Sequence, residues 1–240
     1  MDRPRGHLGE VAGELMIGVY WQEDDAPEIR RVPDDVVDLV FAVRCRALPV
    51  DHQHALREAV LAVLPWLAEV PGAGIHPVYV AASGNGWMRP ETGLLYPSRR
   101  TKLVLRLPKA SLEDARALAG RELDIDGHRL QVGDAGVRLL SPRPTVFSRY
   151  VIANDGENEE NFLAAAARAL ETLGIRPRKM LPGRAAALGT PAGPLGTRSL
   201  MLADLKAEES IRLQQAGLGP HRLLGCGIFV PHKGIASVED

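Results

Sequence analysis

Residues 145–174, TVFSRYVIANDGENEENFLAAAARALETLG, determine the predicted fold because they contain a strand followed directly by a helix. The strand is predicted over residues 145–154 and the helix over residues 158–173. Gly174 then ends the helix, since glycine readily adopts the left-handed conformation found just after helix C-termini. This strand–helix pair is the first part of a larger pattern.

The order of elements on either side repeats that pattern. The second half continues with strands at residues 176–181 and 196–205, a helix at 207–216 and a strand at 223–230. The first half predicts a strand at 36–48, a helix at 51–68, strands at 75–83 and 101–107, a helix at 112–119 and a hairpin at 122–132. Each half is strand–helix–strand–strand–helix–strand, the ferredoxin-like split motif. We therefore predict an α+β protein with two tandem ferredoxin-like (RRM-like) domains.

The domain limits follow from this order of elements. The N-terminal ferredoxin-like domain is predicted at residues 36–142 and the C-terminal one at residues 143–235. Residues 1–35 form an acidic extension with one short strand at residues 15–21, since the first 40 residues hold ten acidic side chains against four arginines.

Composition limits the class of protein. With 240 residues, 45% of them hydrophobic and 25% charged, the chain can bury a sizeable core. It has no apolar run long enough to cross a bilayer, and its N-terminus lacks the apolar centre of a signal peptide. Cys45 and Cys226 provide neither a disulfide framework nor a metal site. We expect a reduced, cytoplasmic protein with no membrane contact, metal or other cofactor.

Basic side chains cluster although the formal net charge is only −1. Residues 176–234 hold nine Lys or Arg against three acidic residues, and a second cluster comprises Arg99, Arg100, Lys102, Arg106 and Lys109. Such patches attract phosphates, although a solvated surface explains them equally well. Trp87 and Tyr96, just before the second cluster, are candidate stacking residues or loop anchors.

A glycine-rich segment, GLGPHRLLGCG, spans residues 217–227. Its spacing matches neither a nucleotide-triphosphate loop nor a dinucleotide fingerprint. It instead predicts a loop whose backbone N–H groups and side chains bind phosphates. The candidate binding residues are Gly217, Gly219, His221, Arg222, Gly225 and Gly227.

Two histidines lie at the start of the helix predicted over residues 51–68. Asp51 is the predicted N-cap, which puts His52 and His54 in the first turn, and Pro65 is predicted to kink this helix or end it early. A helix N-terminus favours the neutral imidazole, the form that acts as a general base. At 3.6 residues per turn, His52 lies on the apolar face of this helix and His54 lies on the face toward solvent. This spacing does not decide which histidine is catalytic. Either could be an ordinary surface histidine, and no ligand cluster beyond Asp51 supports a metal site.

Several sequence strings resemble one known family, the CRISPR repeat-RNA endoribonucleases (the sixth Cas protein, of the RAMP superfamily), in its Myxococcus-type subtype. The resemblance covers about residues 36–235, and the two C-terminal strings are the most specific. The strings are LPVDH (48–52), LPWL (64–67), GIHP (74–77), SRRT (98–101), LGIR (173–176), TRSLMLADL (197–205) and GLGPHRLLGCGIFVPHK (217–233).

The resemblance implies a function and a set of site residues. The family cleaves CRISPR repeat RNA without metal, leaving 2′,3′-cyclic phosphate and 5′-hydroxyl ends. Its catalytic histidine commonly follows the first strand, where His52 matches and His54 is the alternative. The implied partners are repeat RNA and mature crRNA, with other Cas effector-complex subunits as further candidates. RNA-binding candidates outside the glycine-rich segment are Arg99, Arg100, Lys102, Arg198 and Lys233.

Two other functions fit the same sequence. The protein could bind repeat RNA as a non-catalytic end-cap of a CRISPR effector complex, with an identical fold and basic surface. It could also be a ferredoxin-like sensor of small molecules or an assembly scaffold, which would leave the glycine-rich segment unexplained.

Overall fold

A computed structural model describes residues 32–80, 93–154 and 156–232 of the chain. The first half forms a five-stranded antiparallel sheet in the order β3-β5-β1-β7-β6, while β2 and β4 pair separately. Without its edge strand β6, this order is that of a ferredoxin-like sheet. The elements are β1 (Val36–Cys45), β2 (Leu48–Pro49), α1 (Gln53–Val63), β3 (Gly74–Ile75), β4 (Leu94–Leu95), β5 (Lys102–Pro108), α2 (Leu112–Ala115), β6 (Glu122–Ile125) and β7 (His128–Arg138).

The second half forms a four-stranded antiparallel sheet in the order β11-β8-β10-β9. This is again the ferredoxin-like order, so the predicted fold of two tandem ferredoxin-like domains is confirmed. The domain limits at residues 1–35, 36–142 and 143–235 stay a prediction. The elements are β8 (Val146–Ile152), α3 (Glu159–Thr172), β9 (Lys179–Leu188), β10 (Leu195–Ala203), α4 (Ala207–Ala216) and β11 (Val230–Pro231).

Each sheet buries one face against its own helices. Alternate residues of β1, such as Leu39 and Phe41, pack with Leu56 and Val60 of α1 in the N-terminal core. This alternation places the remaining β1 side chains on the opposite face of the sheet. The C-terminal core is a separate cluster that includes Phe162 of α3 and Leu200 of β10.

Local signals in the sequence predicted several element ends. Pro65 ends the first helix early, because α1 stops at Val63 and a 3₁₀ turn spans Pro65–Glu69. Gly174 has a φ of 67° after α3, as a helix stop requires. The predicted N-cap Asp51 is wrong: α1 begins at Gln53 after His52, and the Asp51 carboxylate instead accepts a 2.7 Å hydrogen bond from the Gly189 N–H.

The strand predicted over residues 223–230 is also wrong. Arg222–Leu224 is a 3₁₀ turn, and only Val230–Pro231 pairs with β8. Gly225 and Gly227 have φ angles of 82° and 65°, which an extended strand does not allow. Of the strand predicted over residues 75–83, only Ile75 lies in a strand within residues 75–80. Residues 81–83 and the strand predicted over residues 15–21 lie outside the described residues.

A buried guanidinium joins the N-terminal sheet to the C-terminal half of the chain. Arg106 of β5 is fully buried and donates to both carboxylate oxygens of Asp38, which lies opposite it on β1, at 2.8 and 3.2 Å. Its Nη1 also donates to the backbone oxygens of Gln214, at 3.0 Å, and Phe229, at 2.7 Å. One side chain of the N-terminal sheet therefore binds both ends of the segment between α4 and β11.

His76 completes this buried cluster, with its Nε2 3.3 Å from the Asp38 carboxylate. Burial lowers the pKa of His76 to about 4; Asp38 opposes this shift, and the charge of Arg106 adds to it. Burial alone would raise the pKa of Asp38, but His76 and Arg106 hold it well below its usual range. The folded protein therefore keeps His76 neutral and Asp38 ionised at neutral pH.

We expect Arg106→Met to lower the free energy of unfolding by about 3 kcal/mol or more, because it leaves the Asp38 carboxylate buried without its main counter-ion. Urea denaturation measures this loss. Arg116→Met, at a side chain that is 40% exposed, serves as the control and costs less than about 1 kcal/mol. A loss for Arg106→Met no larger than that of the control would show that Arg106 does not stabilise the fold.

We also expect the free energy of unfolding to fall by about 3 kcal/mol as pH is lowered from 6.5 to 4. The unfolded chain protonates His76 near its ordinary pKa, whereas the folded protein resists protonation down to about pH 4, so unfolding takes up a proton in this range. Denaturant titrations at several pH values measure the slope. His76→Gln should flatten it and His128→Gln should not; an unchanged slope in His76→Gln would contradict the assignment.

Candidate functional site

A cleft of about 700 Å³ lies where α1 meets the turn between β9 and β10 and the segment 219–224. Its polar lining includes His54 and Arg57 from α1, Thr190 from the β9–β10 turn, and His221 from the glycine-rich segment. None of its described lining residues carries a carboxylate. The cleft is therefore suited to an anion rather than a cation.

Hydrogen bonds at its edge hold the β9–β10 turn beside α1. The bond from the Gly189 N–H to Asp51 joins the end of β9 to the residues just before α1. The Thr190 hydroxyl donates to the Gly193 carbonyl across the turn at 2.7 Å. The turn is therefore fixed both internally and against the segment that carries His54.

His54 and Arg57 lie three residues apart on α1, so they share one helical face. His54 is partly exposed. Arg57 forms an ion pair with its neighbour Glu58, and its side chain is 33% exposed. Both side chains are thus accessible to a ligand in the cleft.

His221 reaches the cleft in a backbone conformation that is uncommon for any residue other than glycine. Its φ and ψ are 65° and 35°, in the left-handed region. Its carbonyl accepts hydrogen bonds from the N–H groups of Leu224, at 2.9 Å, and Cys226, at 3.2 Å. Since these bonds fix an exposed histidine in a strained conformation at a cleft, His221 is a candidate functional residue.

His52 is fully buried and its ring is already engaged. Its Nδ1 donates to the Pro49 carbonyl at 2.7 Å, and its Nε2 accepts from the Val78 N–H at 3.3 Å and from Gln53 at 3.0 Å. Neither ring nitrogen is available to a substrate in this arrangement. Of the two histidines predicted from the sequence, only His54 lines the cleft.

The glycine-rich segment is mostly internal rather than an open phosphate cradle. Gly217, Gly225 and Gly227 are buried, and only Gly219 is exposed. A Cβ on Gly227 would lie 2.1 Å from the Leu218 carbonyl oxygen, so this glycine is needed for close packing within the segment itself. The part that faces a ligand is therefore the exposed tip at residues 219–221.

Arg222 lines the cleft, but its guanidinium turns inward. All three of its nitrogens are buried, with no hydrogen-bond partner among the described residues. Burial lowers the pKa of Arg222 to about 10; repulsion from Arg106 adds to this effect, and Asp38 opposes it. Direct binding of a surface phosphate by Arg222, as predicted from the sequence, does not fit this orientation.

The remaining predicted residues lie elsewhere. Arg99 lines a separate groove on the N-terminal sheet, and Arg100 and Lys102 are its exposed neighbours along the chain. Arg198 is bound internally, with its Nη1 2.9 Å from Glu159 and 2.8 Å from the Gly183 carbonyl. Lys233 lies outside the described residues. The structure thus brings together His54, Gly219 and His221, and adds Arg57, which its spacing from His54 could have indicated.

Residues 37–234 match the model of the family described as Cas6 Crispr. The chain belongs to this family. A relative from Myxococcus xanthus (strain DK1622), described as CRISPR-associated endonuclease Cas6, is 34% identical over 204 residues, which is 85% of each chain. The resemblance noted in the sequence is thereby confirmed.

Solved structures show the same fold. One, described as CRISPR associated protein Cas6, matches with a TM-score of 0.55 at 11% identity, covering 82% of this chain and all of that one. Another, described as an RAMP protein binding different RNA substrates, has a TM-score of 0.54 at 15% identity over 81% of this chain and 98% of that chain.

Within residues 32–80, 93–154 and 156–232, no helix has the length and apolarity needed to span a membrane. The same residues contain no group of three or more His, Cys, Asp or Glu side chains arranged to hold a metal ion.

We expect His52→Ala to lower the free energy of unfolding by about 2–4 kcal/mol, because it leaves the Pro49 carbonyl and the Val78 N–H without a partner and opens a cavity. His54→Ala, at a partly exposed position, should cost less than about 1 kcal/mol. Chemical denaturation of both variants measures the difference. Equal, small losses would show that His52 is not a structural residue.

Proposed function

We propose that this protein is an endoribonuclease that cleaves CRISPR repeat RNA within the precursor transcript, in the cytoplasm, to give mature crRNA. The observation that carries the proposal is that His54, Arg57 and His221 line one cleft, with no carboxylate among its described lining residues. The relative from Myxococcus xanthus, described as an endonuclease, supports the same reaction class.

The reaction proposed is an internal transesterification. The ribose 2′-oxygen attacks the adjacent phosphorus, a new O2′–P bond forms, and the P–O5′ bond breaks. His54 accepts the proton of the 2′-hydroxyl, and His221 donates a proton to the departing 5′-oxygen. The products are a 2′,3′-cyclic phosphate and a 5′-hydroxyl, and neither water nor a redox partner is consumed.

Arg57 is the candidate for stabilising the transition state. Negative charge increases on the non-bridging phosphate oxygens during attack, and a guanidinium on the same helical face as His54 can bind them. The donor set of the cleft consists of imidazoles, a guanidinium and a hydroxyl, which suits a phosphodiester better than a hard divalent cation. We therefore propose that cleavage is independent of metal ions.

We expect His54→Ala to slow single-turnover cleavage of repeat RNA about 100-fold or more, because the 2′-hydroxyl loses its general base. Binding of the same RNA should change less than about threefold. His128→Ala, at the β6–β7 turn, is the matched control and keeps the wild-type rate. Gel separation of end-labelled RNA measures the rate, and an unchanged rate in His54→Ala would reject this residue as the base.

Substrate analogues separate the two imidazoles and test the reaction class. A 5′-sulfur at the scissile bond needs no protonation to leave, so it should restore the rate of His221→Ala but not of His54→Ala. A 2′-deoxyribose at the cut site should be inert, and EDTA should have no effect. Wild-type protein that binds repeat RNA tightly without cutting it would favour the end-cap function instead.

A further inference from the structure

A second polar groove lies on the N-terminal sheet, away from the cleft. It has a volume of about 1290 Å³ and is lined by the end of β1, by β6 and β7, and by Arg99. It shares no described lining residue with the cleft that contains His54. The cleavage reaction proposed above does not use it.

The groove is the uncovered half of one sheet face. Asp38 and Ala42 point to the same side of β1, because they are separated by an even number of residues. At the Asp38 end this face is buried, since Arg106 there bonds to Gln214 and Phe229 of the C-terminal domain. At the Ala42 end the face is exposed and forms the groove.

Four arginines and two acidic residues line this exposed half. Arg44 of β1 lies opposite Gln131 of β7 in the sheet. Arg129 is two residues before Gln131, so it lies on the same face as Arg44, at a diagonal distance of about 7–8 Å from Arg44. Arg129 is 80% exposed and lies 3.6 Å from Glu122. Within the described part of the chain, the other three arginines form no ion pair. The four arginines are Arg44, Arg46, Arg99 and Arg129, and the two acidic residues are Glu122 and Asp134.

Small residues form the floor of the groove. The register of β1 shifts between Phe41 and Val43, where Ala42 faces Gly133 of β7. A Cβ on Gly133 would lie 3.3 Å from both the Cβ and the carbonyl oxygen of Ala42. Without large side chains on the floor, a polymer backbone can lie close to the sheet between the arginines.

An exposed aromatic side chain lies three residues before Arg99 in the chain. Tyr96 is 70% exposed and follows β4, whose Leu95 pairs with Leu48 of β2. Tyr96 therefore directly follows the partner of Leu48, and Leu48 itself lies two residues after Arg46. A 70% exposed ring contributes little to the core, and it presents a face on which an unpaired base can stack.

We infer that this groove, lined by Arg44, Arg46, Arg99 and Arg129, binds single-stranded RNA, and that the neighbouring Tyr96 stacks on one of its bases. Guanidinium groups bind phosphates bidentately, and an aromatic ring stacks on any base without reading its sequence. The bound RNA is a single-stranded part of the transcript, an identification that rests on the proposed function. The groove therefore adds affinity for long transcripts without taking part in bond cleavage.

The test uses fluorescein-labelled oligouridylate of 15 nucleotides, which has no stable secondary structure, with the full-length protein and fluorescence anisotropy. The triple variant Arg44→Gln/Arg46→Gln/Arg99→Gln should bind about tenfold or more weakly than wild type. Its slope of log affinity against log salt should be smaller by about two, since each phosphate contact on a single strand contributes roughly 0.7. Circular dichroism confirms that the variant is folded.

The control triple variant, Arg143→Gln/Arg168→Gln/Arg178→Gln, removes the same formal charge from exposed positions elsewhere and should keep wild-type affinity and slope. Tyr96→Ala should weaken binding about fivefold or more, and Tyr96→Phe should not, because phenylalanine also stacks.

The inference is overturned if the groove variant binds oligouridylate as tightly as the control does, in which case an acidic protein becomes the better candidate partner. Equal affinities for Tyr96→Ala and Tyr96→Phe would overturn the stacking role. Failure of the wild-type protein to cleave repeat RNA would reject the proposed function alone, because the oligouridylate measurement involves no cleavage.

Discussion

Arg106 and Asp38 meet where β5 pairs with β1, on the sheet face that does not pack against α1. Burying two charges is costly, and the cost is offset only when the geometry is good and the remaining donors are satisfied. Here the guanidinium makes two bonds to the carboxylate and two to backbone carbonyls of the C-terminal domain. Those carbonyls, of Gln214 and Phe229, lie on either side of the glycine-rich segment. The position of His221 relative to α1 therefore depends on a side chain that belongs to neither element.

The same cluster influences the charge of the cleft. Around Asp38 lie the guanidinium groups of Arg106, Arg138 and Arg222, while His76 is neutral at pH 7. One carboxylate thus faces three positive charges, and one of the three belongs to Arg222, the residue that follows His221. A buried charge is screened less by salt than an exposed one. The positive charge of Arg222 can therefore attract a polyanion without contacting it. This electrostatic role differs from the direct phosphate binding that was predicted from the sequence.

The sequence contained most of the fold but only part of the site. Element order, the stop at Gly174 and the break at Pro65 are local signals, and the structure confirms all three. The apolar residues after Arg222 predict a strand that the structure does not contain, because a short buried loop and a short buried strand have the same hydrophobic pattern. His52 was placed by counting helical turns from Asp51, whereas its real partners include Val78, 26 residues away. Likewise, the sequence of the glycine-rich segment does not indicate that the Arg222 guanidinium points inward, because that direction depends on Asp38 and Arg106, which are distant in the chain.

The four-way bonding of Arg106 also bears on how a substrate is accommodated. If the two domains moved apart, the charged Arg106 side chain would lose its hydrogen bonds to Gln214 and Phe229, which are half of its four bonds. Hinge-like opening between the domains is therefore strongly disfavoured. The width of the candidate cleft is accordingly set during folding rather than upon encounter with a ligand. A flexible polynucleotide must therefore bend and splay its own backbone to reach in-line geometry, and repeats that deform easily will be processed faster than stiff ones of equal affinity.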